Sequence, residues 1–533
     1  MKTKFNMLNL LPALLLLAIL TSCENKDVKV TGIDLDKVTA DVMIGATINL
    51  TVVFEPVDAD NKNLTWESSD PSVAIVANGI VTGIALGNAT IKATSQDNTL
   101  LQASCNITVI PSTGQQITVS GDITADTRWY ANARYFLSGF VYVKNNATIT
   151  IEAGTIIKGV SGTKGALIIE RGSKIMAQGT QTSPIVFTSD KPKGQRGYGD
   201  WGGLVICGNA PTNKHDNGTG VGIAEGGIGS NYGGTNAADN SGVLQYVRIE
   251  FPGIPLTATS NSEINGLTLY SVGSGTTIDH VQVSYSGDDS YEWFGGTVNA
   301  KYLVAFRGWD DDFDTDNGFS GKVQFFLSLR DPASADGSQS NGFESDNDAD
   351  GSVLTPVTSP LFVNGSIFGP LATSGTTINT LYRNAMQLRR GTRTSVYNTV
   401  FAGWPNGLYI DGQKGDSPAQ AAANVLQIEN CVLAGMTANY VTTYQADAEA
   451  WFTDASKSNQ VLASNELLQV TNPFSLTAPD FLPVAGSPIL SGASFTNVRL
   501  TDTFFTQVPY RGAFGSTNWT ATWCNFDPQN TDY

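Results

Sequence analysis

At 533 residues the chain is too long for one small domain, and its 55 glycines with only 15% charged residues favour an extended array of short strands and tight turns over several helical units. The formal net charge of −17 excludes a nucleic-acid partner, because binding phosphates requires a basic face. Cations and neutral or mixed-charge glycans are the ligands that suit such a surface.

The chain opens MKTKFNMLNLLPALLLLAILTSC, two lysines followed by an apolar run too short for a comfortable membrane span, which is the pattern of a secretion signal. Leu20, Thr21, Ser22 and Cys23 resemble the lipobox of bacterial lipoproteins. The resemblance implies a signal peptide over 1–22, lipidation at Cys23 and an anchor segment over 23–29, so that membrane contact is through lipid only. The polar residues after Cys23 resemble the surface-export signal of Bacteroidetes lipoproteins, which implies a surface-exposed protein on the outer membrane. Cys105, Cys207, Cys431 and Cys524 lack zinc spacing, and Cys207 and Cys431 lie in apolar runs where buried free thiols are expected.

Residues 30–110 alternate apolar and polar positions between Gly, Asn and Asp turns, as a β-sandwich requires. Within TWESSDPSVAIVANGIVTGIALGNATIKATS, Trp66, Val73, Gly79, Val81, Thr82, Gly83, Gly87, Ala89 and Thr90 resemble the bacterial immunoglobulin-like domain, group 2. That resemblance implies a spacer or adhesive unit. A Pro, Ser and Gln segment over 111–116 reads as a linker.

From 117 to 533 the rhythm changes to strands of four to six residues, each closed by a turn. Segments such as FVYVKNNATITIEAGTIIKG, DWGGLVICGNA and VLQIENCVLAG resemble right-handed parallel β-helices of the pectin-lyase-like superfamily and β-helical surface lipoproteins of Bacteroidetes. The expected fold is therefore all-β, an Ig-like sandwich followed by a right-handed parallel β-helix. Only QADAEAWFTDAS reads as helical. The aromatic C-terminal part, with Phe504, Phe505, Phe514, Trp519 and Trp523, is expected to cap the open end of the coil.

Six segments share one frame, aligned on Leu267, Tyr291, Phe313, Phe343, Met386 and Leu408. If they stack as rungs about 4.8 Å apart, alternate residues form two outward columns. The first is Thr268, Glu292, Asp314, Glu344, Gln387 and Tyr409; the second is Tyr270, Phe294, Asp316, Asp346, Arg389 and Asp411. Asp314 follows Glu292 by 22 residues, but Glu344 and Gln387 follow by 30 and 43, so the surplus must loop out. Those loops, including LRDPASADGSQ and the GPLATSGTT region, are expected to wall a groove beside the columns.

Carboxylates one rung apart repel by about 3.5 kcal/mol at an effective dielectric of 20, which solvent or a cation must offset. Ca²⁺ takes six to eight oxygens, and Asp312, Asp314, Asp316, Glu344, Asp346 and Asp348 are its expected ligands. Turn-forming acids without metal, and catalytic acids, are the other two readings. Carboxylates on neighbouring rungs have glycosidase separations, but any β-helix ladder supplies them. Histidine occurs only at 215 and 280, with no Gly-His-Gly, which disfavours polygalacturonase-like chemistry. TIDHVQVSYSGDD resembles the WIDH segment of pectate lyases with Trp absent, and the second Arg of their Arg-x-Pro-x-x-Arg motif is missing after Arg330. An enzyme would use Asp314, Glu344, Asp346 and Arg389. A binding protein would use Glu292, Trp309, Gln387, Arg389, Tyr409 and Asp411, with Tyr270, Phe294 and Trp404 as further stacking surfaces. The leading expectation is capture of a polysaccharide, a glycoconjugate or a host or matrix surface; the alternative is a Ca²⁺-dependent polysaccharide lyase or glycoside hydrolase.

Overall fold

A computed structural model describes residues 26–254 and 263–533, so Cys23 and the signal segment lie outside the described residues. The chain divides between Ser112 and Thr113 into two compact units.

In the first unit Thr39–Met43, Gln102–Ile110, Gly87–Ser95 and Leu64–Ser68 form one sheet. Thr47–Asn49, Ile80–Gly83 and Ala74–Ala77 form a second, and Gly32–Leu35 pairs with Val52–Glu55. The alternation read from the sequence points Val42, Val81, Ile91, Ile107 and Val109 into one core around Cys105. Asn78 and Gly79 make a two-residue hairpin turn with φ of 50° and 79°, the left-handed pair such a turn needs. A Cβ at Gly79 would sit 2.8 Å from the Leu50 carbonyl oxygen and 3.2 Å from the Trp66 ring, so the motif glycine is required twice over.

The second unit is one continuous sheet of 26 strands wound as a parallel β-helix from Gln115–Ile123 to Gln460–Leu462. The rungs that matter here are Leu267–Tyr270, Tyr291–Phe294, Phe313–Asp316, Phe343–Ser345, Asn384–Leu388 and Asn406–Ile410. Their register pairs Thr268 with Glu292, Glu292 with Asp314, Asp314 with Glu344, Glu344 with Gln387 and Gln387 with Tyr409, which is the expected first column. Inside the coil Tyr291 lies over Phe313 at 5.4 Å, and Phe313 over Phe343 at 5.4 Å. Apolar facing selects this register, because a slip of one residue would bury the acids and expose the rings.

A second face of the same coil runs through Thr277–Ser284, Asn299–Phe306, Lys322–Leu329 and Leu361–Phe368. One residue per coil at its corner is left-handed: Tyr246, His280, Tyr302, Phe325, Asn364, Asn398 and Asn430, with φ between 49° and 59°. Asparagine tolerates that conformation. The aromatic residues offset its strain by stacking, with ring centres 4.4, 4.3 and 5.1 Å apart from Tyr246 to Phe325. His280 is a member of this stack.

The C-terminal expectation is corrected. Residues 494–533 do not cap the end of the coil but run back along its flank. The Asn398, Asn364, Gln324, Gln282 and Arg196 side chains donate in turn to the backbone of Ser494, Tyr510, Thr506, Asn525 and Pro528. The reason is apolar surface on the outside of that second face. Phe306, Leu327, Leu329 and Val400 point outward and are buried under Phe481, Phe514 and Trp523. At the last rung it is the short helix Ala448–Phe452, the segment read as helical, that sets Phe452 against Tyr440 of Ala438–Val441. A second helix, Ser417–Ala422, was not foreseen. Cys105, Cys207, Cys431 and Cys524 are free thiols, the first three buried.

Candidate functional site

Both acid columns open into one cleft of about 430 Å³. Its floor is Glu292, Asp314 and Glu344 from the first column, and Tyr270, Phe294, Asp316 and Asp346 from the second. Asp288, Asp289, Asp310 and Asp311 enter from the turns that lead into the Tyr291 and Phe313 rungs. The loop after Leu329 supplies Ser338 and Gln339, as expected. The far wall comes from a long excursion between Gly203–Cys207 and Gly242–Glu250, which brings in Lys214, Glu225 and Tyr232. Sequence reasoning missed this excursion; its signal was a glycine-rich run without strand alternation that carries Asp216, Glu225 and Asp239.

The cleft divides electrostatically. At one end Arg389 donates to both Glu344 and Asp346, and Arg390 donates to Asp346 at 2.5 Å. Burial raises the Glu344 carboxyl to about 8, with Arg389 opposing the rise. Burial and Asp346 raise Asp316 to about 8, opposed by the Asn317 backbone N–H. At the other end no arginine lines the cleft among the described residues. Burial pushes Asp289, Glu292 and Asp314 far above the usual carboxylate range, and Asp311, Asp314 and Glu344 respectively push them further. Hydrogen bonds answer only part of this. Asp289 Oδ1 accepts from the Asp311 N–H at 2.8 Å, Asp310 Oδ2 from the Ser338 hydroxyl at 2.5 Å, and Glu292 from Asn265. Asp310 Oδ1 and Asp314 Oδ1 are buried without a partner among the described residues.

Those orphaned oxygens test whether a cation fits. A buried carboxylate oxygen without a donor is costly, whereas a hard divalent ion accepts it as a ligand. Single oxygens of Asp289, Glu292 and Asp314 lie within 4.8 Å of one another, the spread expected across a sphere of Ca²⁺–oxygen contacts at about 2.4 Å. The residues therefore fit a hard divalent cation.

The structure brings Glu292, Asp314, Asp316, Glu344, Asp346 and Arg389 together as foreseen. Other expected site residues are corrected. Asp312 turns inward to a 2.9 Å ion pair with Arg330 in which both side chains are 0% exposed, so it is closed to a metal in the cleft. Asp348 is drawn into its own turn, accepting from Ser352 Oγ at 2.6 Å and from the Asp350 N–H at 3.0 Å. Trp309 lies outside the cleft against Tyr198, its indole N–H on the Ala335 carbonyl at 2.8 Å. Gln387 accepts from Asn384 at 3.1 Å, Tyr409 stacks on Tyr444, and Asp411 caps the Gln413 N–H at 2.7 Å; all three lie beyond the lining. Trp404 is wholly buried, whereas Tyr270 and Phe294, stacked on each other at 4.6 Å, form part of the cleft floor.

Comparison with known proteins agrees with both units. Residues 29–107 match the bacterial Ig-like domain (group 2), and residues 121–471 match the pectate-lyase like beta helix domain. An uncharacterized protein of Clostridium acetobutylicum is 38% identical over 84 residues, 16% of this chain and 21% of that protein. An alpha-L-arabinofuranosidase of Bifidobacterium longum subsp. longum is 46% identical over 67 residues, 12% of this chain and 6% of that one. The chain thus spans about a fifth or less of the curated relatives it matches, in stretches about as long as one Ig-like module. With two acid columns stacked on a parallel coil, and a match covering most of that coil, the chain belongs to the pectate-lyase-like β-helix family.

Proposed function

We propose that the protein is a lipid-anchored surface lipoprotein of the outer membrane that captures a polysaccharide or glycoconjugate in the acidic cleft, with Ca²⁺ held among its carboxylates. The observation that carries this reading is the run of buried acids at the arginine-free end, where Asp310 Oδ1 and Asp314 Oδ1 have no partner among the described residues. When bound, the cation neutralises these acids and offers its open positions to sugar oxygens. The stretch shared with an alpha-L-arabinofuranosidase supports a glycan partner.

Capture is favoured over eliminative cleavage by the state of Arg389. Burial works against its charge, yet Glu344 and Asp346 hold the guanidinium above its ordinary range. A guanidinium so held does not accept a proton, so Arg389 organises the acids instead of serving as a base. The test is to incubate the whole protein with a polysaccharide panel, with and without calcium, measuring retention of glycan and formation of unsaturated or reducing products. Calcium-dependent retention without product is expected. Product formation would establish the lyase or hydrolase, and neither retention nor product from any glycan would overturn both readings.

A further inference from the structure

We propose that the cleft holds two divalent cations side by side, bridged by Asp289. The proposal rests on the cation-loaded reading above and names a ligand set centred on Asp289, one turn ahead of the acid columns.

Two groups of carboxylates carry it. Single oxygens of Asp288, Asp289 and Asp310 lie within 4.8 Å of one another, and so do those of Asp289, Glu292 and Asp314. Asp289 is common to both. It is 7% exposed and fixed by the Asp311 N–H on Oδ1. Each group also contains one buried oxygen without a donor, Oδ1 of Asp310 in the first and Oδ1 of Asp314 in the second. One unmet oxygen in each group is what two ions, and not one, would satisfy.

Charge balance leads to the same count. Glu344 and Asp346 are already answered by Arg389 and Arg390, so they make little demand for metal. Lys214 also lines the cleft, but its nearest carboxylate is Asp216 at 4.0 Å. The five acids of the two groups carry five negative charges when ionised. One divalent ion leaves three uncompensated in a site that excludes much of its water; two leave one. Neither group completes the six to eight oxygens of Ca²⁺, so each ion keeps positions for water or for ligand oxygen facing the cleft.

Calorimetric titration of the chelator-stripped whole protein with calcium chloride tests this. Two ions per chain are expected. Asp310→Asn should lose one and Asp314→Asn the other, while Asp289→Asn should abolish both. Thermal melting in chelator checks folding, and each amide variant should melt no lower than the parent because repulsion is relieved. One ion per chain, or two ions retained by Asp289→Asn, would overturn the bridged pair and leave the cation-loaded cleft standing. No ion at all would overturn both.

Discussion

Asp312 and Asp314 are two residues apart and serve opposite ends. Asp312 is sealed with Arg330, whose guanidinium also donates to the Trp309 and Asp310 carbonyls and lies over the Tyr382 ring. Asp312→Ala leaves a buried cation unpaired, so a loss of about 3–5 kcal/mol is expected in chemical denaturation, with calcium stoichiometry unchanged. The cleft acids predict the reverse sensitivity. An unfolded glutamate titrates near about 4.3, and Glu344 in the fold is raised to about 8. The folded state binds more protons over that interval, so this stability is complete below the unfolded value and is lost as pH rises through about 8. Asp316, about 8, and Glu225, about 7, have the same sign. In chelator the melting temperature should fall as pH is raised from about 5 to 8.5. A flat profile in chelator would show that water reaches these carboxyls.

At the level of elements, the coil is held on two sides by different means. The cleft side depends on loops, the flank on the C-terminal strap. Trp523 is wholly buried in that strap, with edge contacts to Tyr246 at 5.9 Å and His280 at 5.5 Å in the left-handed corner. Trp523→Ala should cost about 3–5 kcal/mol. The predicted readout is proteolysis: residues 494–533 should become cleavable before the coil does, with calcium binding intact. Cleavage of both at one rate would mean that the strap is part of a single cooperative unit.

For the whole molecule, the division at Ser112 and Thr113 predicts that residues 113–533 fold alone and that the full chain melts in two calorimetric transitions, only the β-helix transition moving with calcium. A single calcium-sensitive transition would join the units thermodynamically. The proposed lipid anchor predicts that Cys23→Ala releases the protein from membranes into the soluble fraction, while unchanged membrane association would remove the anchor from the proposal.

What the sequence determined by itself was local and periodic. Side-chain alternation has a period of two, and only one register puts Tyr291, Phe313 and Phe343 inside, so the Glu292, Asp314 and Glu344 column was legible from one chain. The Ig-like unit was legible for a related reason, since Gly79 is fixed by a backbone that no Cβ fits. Tertiary structure alone decided which acids share a site. Asp310, Asp311 and Asp312 sit in a turn, where alternation no longer dictates facing, and Arg330 draws only the last of them inward. The wall bearing Lys214, Glu225 and Tyr232 comes from a loop without period, whose course depends on what it packs against. The runs KVQFFLSL and LFVNGSIF are buried on both faces in the fold, and such a run does not name its cover. That cover is the returning C-terminus, because outward Phe306 and Leu329 leave apolar surface that only a distant aromatic segment removes from water.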